Sequence, residues 1–176
     1  MLIYNNYYRD EGIRNICHEV KNGSEHAISR IAEYLIASGI ADETTALIPA
    51  PQHKGWAEYT LDIAKIVSKE TGAGVYDILK CSPHVPLYDM KYLNTCPDIT
   101  FMVDRDIPED KTLLFIDNVM STGYTYTSCN KHFGNQLIPF IYAIDFTRMP
   151  VGMIVKEYGN YVIRNNEAGK LVLMRI

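Results

Sequence analysis

Residues 112–130 read TLLFIDNVMSTGYTYTSCN. Four apolar residues, Leu113 to Ile116, run into Asp117 and Asn118, and the small-residue turn Ser121-Thr122-Gly123 then opens onto a helix-like segment. The pattern predicts a buried strand that ends in two polar side chains and a loop. In an open α/β sheet, ligands bind outside the carboxyl ends of strands. A helix starting there aims free backbone N–H groups and its positive dipole end at the ligand, an arrangement suited to a phosphate. No Lys or Arg occurs between Lys111 and Lys131. An anion held here would therefore rest on main-chain N–H groups and the hydroxyls of Ser121, Thr122 and Thr125. Asp117 and Asn118 would then face something neutral, such as sugar hydroxyls. The alternative is an ordinary strand-to-helix turn capped by Asn118 and Ser121.

Working outward, the pattern of strand, loop and helix recurs. Ser24 is placed as the N-cap of a helix running to about Ser38, with Ala27, Ile28, Ile31, Ala32, Leu35 and Ile36 on one face and Gly39 at its end. Thr44 to Pro49 reads as a strand. Pro49-Ala50-Pro51-Gln52-His53-Lys54-Gly55 reads as a rigid turn, and Trp56 to Thr71 as a helix with apolar residues at Trp56, Tyr59, Ile63, Ile66 and Val67. Lys54 is the lone Lys or Arg between Arg30 and Lys65. Beside His53 and a glycine it suits a diphosphate, or it is a solvated lysine at a helix start.

Val75 to Leu79 is a further expected strand. Residues 80–98 contain three prolines and are expected to form a long loop, functional or mobile. Ile99 to Val103 and Leu137 to Ile144 complete the apolar runs, the latter ending in Asp145. In the tail, Tyr161 to Arg164 and Lys170 to Met174 alternate about Asn165-Asn166-Glu167-Ala168-Gly169, a hairpin signal. Residues 1–23, rich in Tyr and Asn, offer only short strand candidates at Leu2 to Tyr4 or Tyr7 to Tyr8. Strands alternating with helices imply a mainly parallel, doubly wound α/β sheet in one domain spanning 1–176.

Composition fits that class. The chain has 176 residues with 47% hydrophobic and 22% charged content, enough for one domain with a sizeable core. Against 21 acidic residues stand 17 basic ones, a net charge of −4, which argues against a general nucleic-acid-binding surface. The cysteines Cys17, Cys81, Cys96 and Cys129 lack metal-type spacing and read as reduced thiols of a cytoplasmic protein. No signal peptide and no apolar membrane-spanning window is expected.

The string from Ile116 to Thr125 resembles the phosphoribosyl pyrophosphate (PRPP) motif of type I phosphoribosyltransferases, placed here at 113–125. The resemblance covers about residues 44–148 and is closest at 112–126. It implies that Asp117 meets the ribose hydroxyls, that Ser121, Thr122, Gly123, Tyr124 and Thr125 bind the 5′-phosphate, and that Ala50, Gln52, His53, Lys54 and Gly55 bind pyrophosphate. Asp117, Asn118 and Lys54 are the implied catalytic residues. It further implies a flexible loop closing over the site with His84, Tyr88, Lys91 and Asn94 as working side chains, and a hood built from the N- and C-terminal segments.

Magnesium would enter with PRPP. Asp145, in IYAIDFTR, matches a metal-holding Asp of the hypoxanthine type, or else caps its strand or pairs with Arg148. The chain departs from the pattern where Asn118 replaces a second acid, where Tyr124 replaces a small residue, and where Ser121 stands in place of the Asp of some purine-salvage members. The implied activity is transfer of the phosphoribosyl group to a nitrogen acceptor such as a nucleobase, with pyrophosphate released. Two other readings are a non-catalytic regulator that binds PRPP or a nucleotide, and an accessory protein of DNA uptake similar to competence-protein F, which the segment IPAPQHKGW resembles. Exposed tyrosines would suit a homodimer interface.

Overall fold

The computed structural model describes residues 3–87, 99–106, 108–145, 157–158, 161–165 and 171–175. Chain order is β1 (Ile3–Tyr7), α1 (Glu11–Lys21), α2 (Glu25–Ala37), β2 (Thr45–Pro49), α3 (Tyr59–Thr71), β3 (Gly74–Val75), β4 (Leu79–Cys81) and β5 (Phe101–Val103). These are followed by β6 (Thr112–Met120), α4 (Tyr124–Lys131), β7 (Ile138–Ile144), β8 (Glu157–Tyr158), β9 (Tyr161–Asn165) and β10 (Leu171–Arg175).

The central sheet has the order β1-β7-β6-β2-β3, and every neighbouring pair is parallel. Four strands of five or more residues carry it, and the two-residue β3 closes one edge. Parallel strands covered on both faces read as continuous apolar runs, which is why Leu113–Ile116 and Ile138–Ile144 lack alternation. Along β2, Ala46 and Ile48 face one core and Leu47 the other. The first core joins Phe115 and Ile141 to Leu79, Cys81, Phe101 of the β4–β5 ribbon and Cys129, Phe133 at α4. The second joins Leu114, Ile116 and Phe140 to α1, α2 and α3 through Val20, Ile31, Leu35, Ile63 and Val67. The sheet is thus covered by helices on both faces, as a doubly wound α/β fold requires.

Local chemistry sets the helix ends. Ser24 accepts from the Ala27 N–H and caps α2 as expected, while Asp10 accepts from the Ile13 N–H and caps α1. Helix α1 departs from expectation, since the opening segment reads as strand or coil. Only Cys17 and Val20 of its eleven residues are buried, so its apolar stripe is too thin to stand out. Helix α3 begins at Tyr59, not Trp56. Three residues before it Trp56 is 51% exposed, and Ala57 and Tyr59 are the first to enter the core.

The stretch expected as one strand at 75–79 divides into β3 and β4. Tyr76 N–H still donates to Leu47 O beside β2, but Leu79–Cys81 turn away to pair antiparallel with β5 in a separate two-stranded ribbon. In the tail, β9 pairs antiparallel with both β8 and β10, so the expected hairpin is present within a three-stranded sheet. Among the described residues no helix is long and apolar enough to cross a membrane.

Candidate functional site at the carboxyl edge of the sheet

From β2 the chain moves to β3 on one side and then to β6 on the other, so the strand order reverses between β2 and β6. At such a reversal the connections diverge and leave a crevice at the carboxyl ends. Ala50–Gly55 leave the carboxyl end of β2, and Ser121–Thr125 leave that of β6. The two strands end at different heights. Pro49 pairs with Ile116, Ala50 N–H donates to Ile116 O at 2.9 Å, and β6 continues to Met120 beside β7. Asp117 and Asn118 therefore lie inside a strand, not past its end.

That continuation decides the fate of Asn118. Its side chain is enclosed, with the residue 1% exposed. Tyr59 OH donates to Asn118 Oδ1 at 3.0 Å, and Asn118 Nδ2 donates to Cys17 O at 3.0 Å. The Cys17 thiol points at Asn118 O at 3.7 Å. The amide expected to meet a sugar instead ties α1 and α3 to β6. Burial pushes the Tyr59 phenol well above its usual value, and the Cys17 thiol up to about 12, so both remain neutral donors.

Asp117 differs. It is part-exposed, its Oδ1 accepts from the Asn118 N–H at 2.8 Å, and burial pushes its carboxyl up to about 6 against the pull of that hydrogen bond and of Lys21. A carboxylate so placed can accept from hydroxyl groups and changes charge just below neutral pH.

Beyond Met120, Gly123 holds φ +71 and is the N-cap of α4, with no side-chain cap on the helix. The left-handed conformation is open to glycine at little cost. Tyr124 N–H approaches Thr122 Oγ1 at 3.4 Å, and Thr127 N–H bonds Gly123 O at 2.9 Å. Ser121 and Thr125 are partly exposed and Thr122 fully so, which leaves three hydroxyls about an α4 start whose dipole favours an anion. Tyr124 packs its ring against Phe101 at 6.2 Å, and Tyr126, whose OH donates to Leu137 O at 2.8 Å, meets Phe115 at a tilt with ring centroids 5.7 Å apart. Both tyrosines anchor the helix to the β4–β5 core.

The β2 loop is tightly knit. Gln52 Nε2 donates to Ala50 O at 2.8 Å and Thr60 Oγ1 at 3.2 Å, so its amide serves the loop itself. Gly55, buried at φ +111, lies so near β4 that a methyl group in place of its hydrogen would sit 2.9 Å from Cys81 O. Cys81 N–H donates to Gly55 O and His84 N–H to His53 O, both at 2.9 Å. These bonds bring together His53 and His84, which the sequence separates by thirty residues. Lys54 is exposed and pairs with Glu58 at 2.7 Å, a neutralising partner at i+4. Tyr88, Lys91 and Asn94 lie outside the described residues, as does Arg148.

At the carboxyl end of β7, Asp145 is buried and pairs with Arg9, Nε to Oδ1 at 3.3 Å. Arg9 follows β1, so this contact joins the two ends of the core. Among the described residues no three His, Cys, Asp or Glu side chains gather as a metal cage. A hollow is lined by Val103, Arg105, Asp106 and Glu109, between β5 and the amino end of β6.

A scan against protein-family models finds no match to this chain, and a search of curated proteins finds no relative.

Proposed function

We propose that the chain is a type I phosphoribosyltransferase that binds PRPP with its magnesium ion and transfers the phosphoribosyl group to a nitrogen acceptor. The observation that carries this reading is the pairing of two loops at the strand-order reversal. One is a hydroxyl-rich turn into a helix with no side-chain cap, preceded by Asp117, and the other is the Lys54 loop on the neighbouring strand. The resemblance at 112–126 gives that pair its chemistry.

In this reading the N–H groups and hydroxyls of Ser121–Thr125 hold the 5′-phosphate, and Asp117 orients the ribose. Asn118 supports Asp117 from behind the sheet and does not touch the sugar. Lys54 leaves Glu58 for the pyrophosphate, whose departure from the anomeric carbon breaks a C–O bond as the acceptor nitrogen forms the new C–N bond. Preorganised donors on both phosphates stabilise the leaving group's charge. The proton lost by the acceptor passes to water or to the departing pyrophosphate.

A second reading, a regulator that binds PRPP or a nucleotide without turnover, is favoured by the Lys54–Glu58 pair and the enclosed Asn118. Calorimetry with magnesium and PRPP tests the site common to both, and absence of heat overturns both. Pyrophosphate release across a panel of nucleobases then separates them: release with any base establishes the transferase, and silence with all establishes the regulator.

A further inference from the structure

Trp56 is the single tryptophan of the chain, and it stands 51% exposed. Tryptophan is highly buried on average, and here half of the side chain meets water on a segment fixed by backbone hydrogen bonds. The segment around it is held firmly. Gln52 N–H donates to Trp56 O at 2.8 Å, Gly55 N–H to Gln52 O at 2.9 Å, and Cys81 N–H to Gly55 O at 2.9 Å. On its carboxyl side the chain enters the core at once through buried Ala57 and Tyr59. The indole is therefore mounted on a fixed point beside the carboxyl end of β2, at the strand-order reversal.

We propose that Trp56 is a stacking platform for a planar heteroaromatic base, the acceptor of the reaction inferred above. The proposal rests on that reading for the co-substrate. Its own basis is the exposed indole beside the carboxyl end of β2, shortly after the exposed residues His53 and Lys54, with half-buried His84 tied to the same loop by its backbone N–H to His53 O. An indole face open to solvent matches a base, which offers a flat apolar face of its own. The chain's net charge of −4 and the neutralised Lys54–Glu58 pair favour a small neutral base over a nucleic-acid strand, which would need a basic track.

Because Trp56 is the only indole, its fluorescence reports on its own environment. Adenine, hypoxanthine, guanine, uracil and cytosine are titrated into the full chain, with and without magnesium and PRPP, and PRPP binding is measured separately by calorimetry. Saturable quenching by at least one base is expected. By calorimetry, W56A and W56L should weaken that base by roughly ten- to a hundredfold, while W56F retains most of its affinity. Retention in W56L as well as W56F would replace stacking by simple apolar contact and overturn the proposal.

If PRPP binds and no base quenches, the platform is refuted and the PRPP reading stands. If PRPP does not bind, the transferase reading fails, and quenching by free bases alone then supports or refutes the platform. Trp56 is exposed, so circular dichroism of each variant should match the parent.

Discussion

Tyr59 at the start of α3 donates its hydroxyl to Asn118 Oδ1 in the middle of β6 at 3.0 Å, and the same amide reaches on to Cys17 O of α1. Three elements are joined through one buried amide, next in sequence to Asp117.

Cutting that link should be read in stability. Y59F leaves a buried acceptor without its donor and is expected to cost about 1–3 kcal/mol, seen as a lower urea midpoint at unchanged m-value. N118D restores the acidic pair of the family motif but sets a carboxylate against Cys17 O. Burial would raise that carboxyl above its unfolded value, so stability is kept at low pH and lost as pH rises through the folded-state value. The loss should be greater at pH 8 than at pH 5. Equal losses would show that position 118 can turn to solvent.

Asp117 carries its own pH signature. Its folded value of about 6 stands above the ordinary 3.8. Between these values the native state holds the extra proton, so stability declines as pH climbs from near 4 to near 6 and is level above. D117N should remove this slope and raise stability at pH 7 by roughly 2–3 kcal/mol, while PRPP affinity falls. Thermal unfolding across pH 4–8, with calorimetry at pH 7.5, measures both. A slope that survives D117N assigns the titration to another group.

Lys54 and Glu58 form an exposed i,i+4 pair, of a kind worth less than about 0.5 kcal/mol to the fold. E58Q should thus leave the melting temperature unchanged and, by freeing the ammonium, tighten pyrophosphate binding by roughly three- to tenfold. K54A should weaken it at equal stability. An unchanged pyrophosphate affinity in both would place that anion elsewhere.

Gly123 sits at φ +71 at the N-cap of α4. G123A forces an alanine into the left-handed region at about 1–2 kcal/mol, or shifts the Ser121–Thr125 turn. Inorganic phosphate and PRPP should both bind more weakly. Loss of stability with full phosphate affinity would take the turn out of anion binding.

What the sequence disclosed tracks how strongly each segment is patterned. The runs Leu113–Ile116 and Leu137–Ile144 announce covered parallel strands, and Ser24 and Gly39 bracket α2, because burial and capping leave signatures within a few residues. Helix α1, with two buried side chains, leaves none. Asn118 reads as a sugar ligand or as a turn cap because polar residues after an apolar run resemble a strand end. Val119 and Met120, apolar in turn, were the available sign that β6 continues. The meeting of Arg9 with Asp145, and of His53 with His84, depends on which strands become neighbours, and no local pattern encodes that. Trp56 fell in with the helical periodicity of α3, although Gly55 just before it marks where regular structure had yet to begin.

Strand β1, which comes before the other strands of the central sheet in the chain, hydrogen-bonds to β7, which comes after them. A ribosome releasing this chain would therefore leave Ile3–Tyr7 without a partner until Ile144 had emerged. Such long-range closure retards folding and lengthens exposure to misassembly. Deleting β1 should accordingly injure a strand more than a hundred residues away in sequence, opening the flank of β7 to solvent and to other chains.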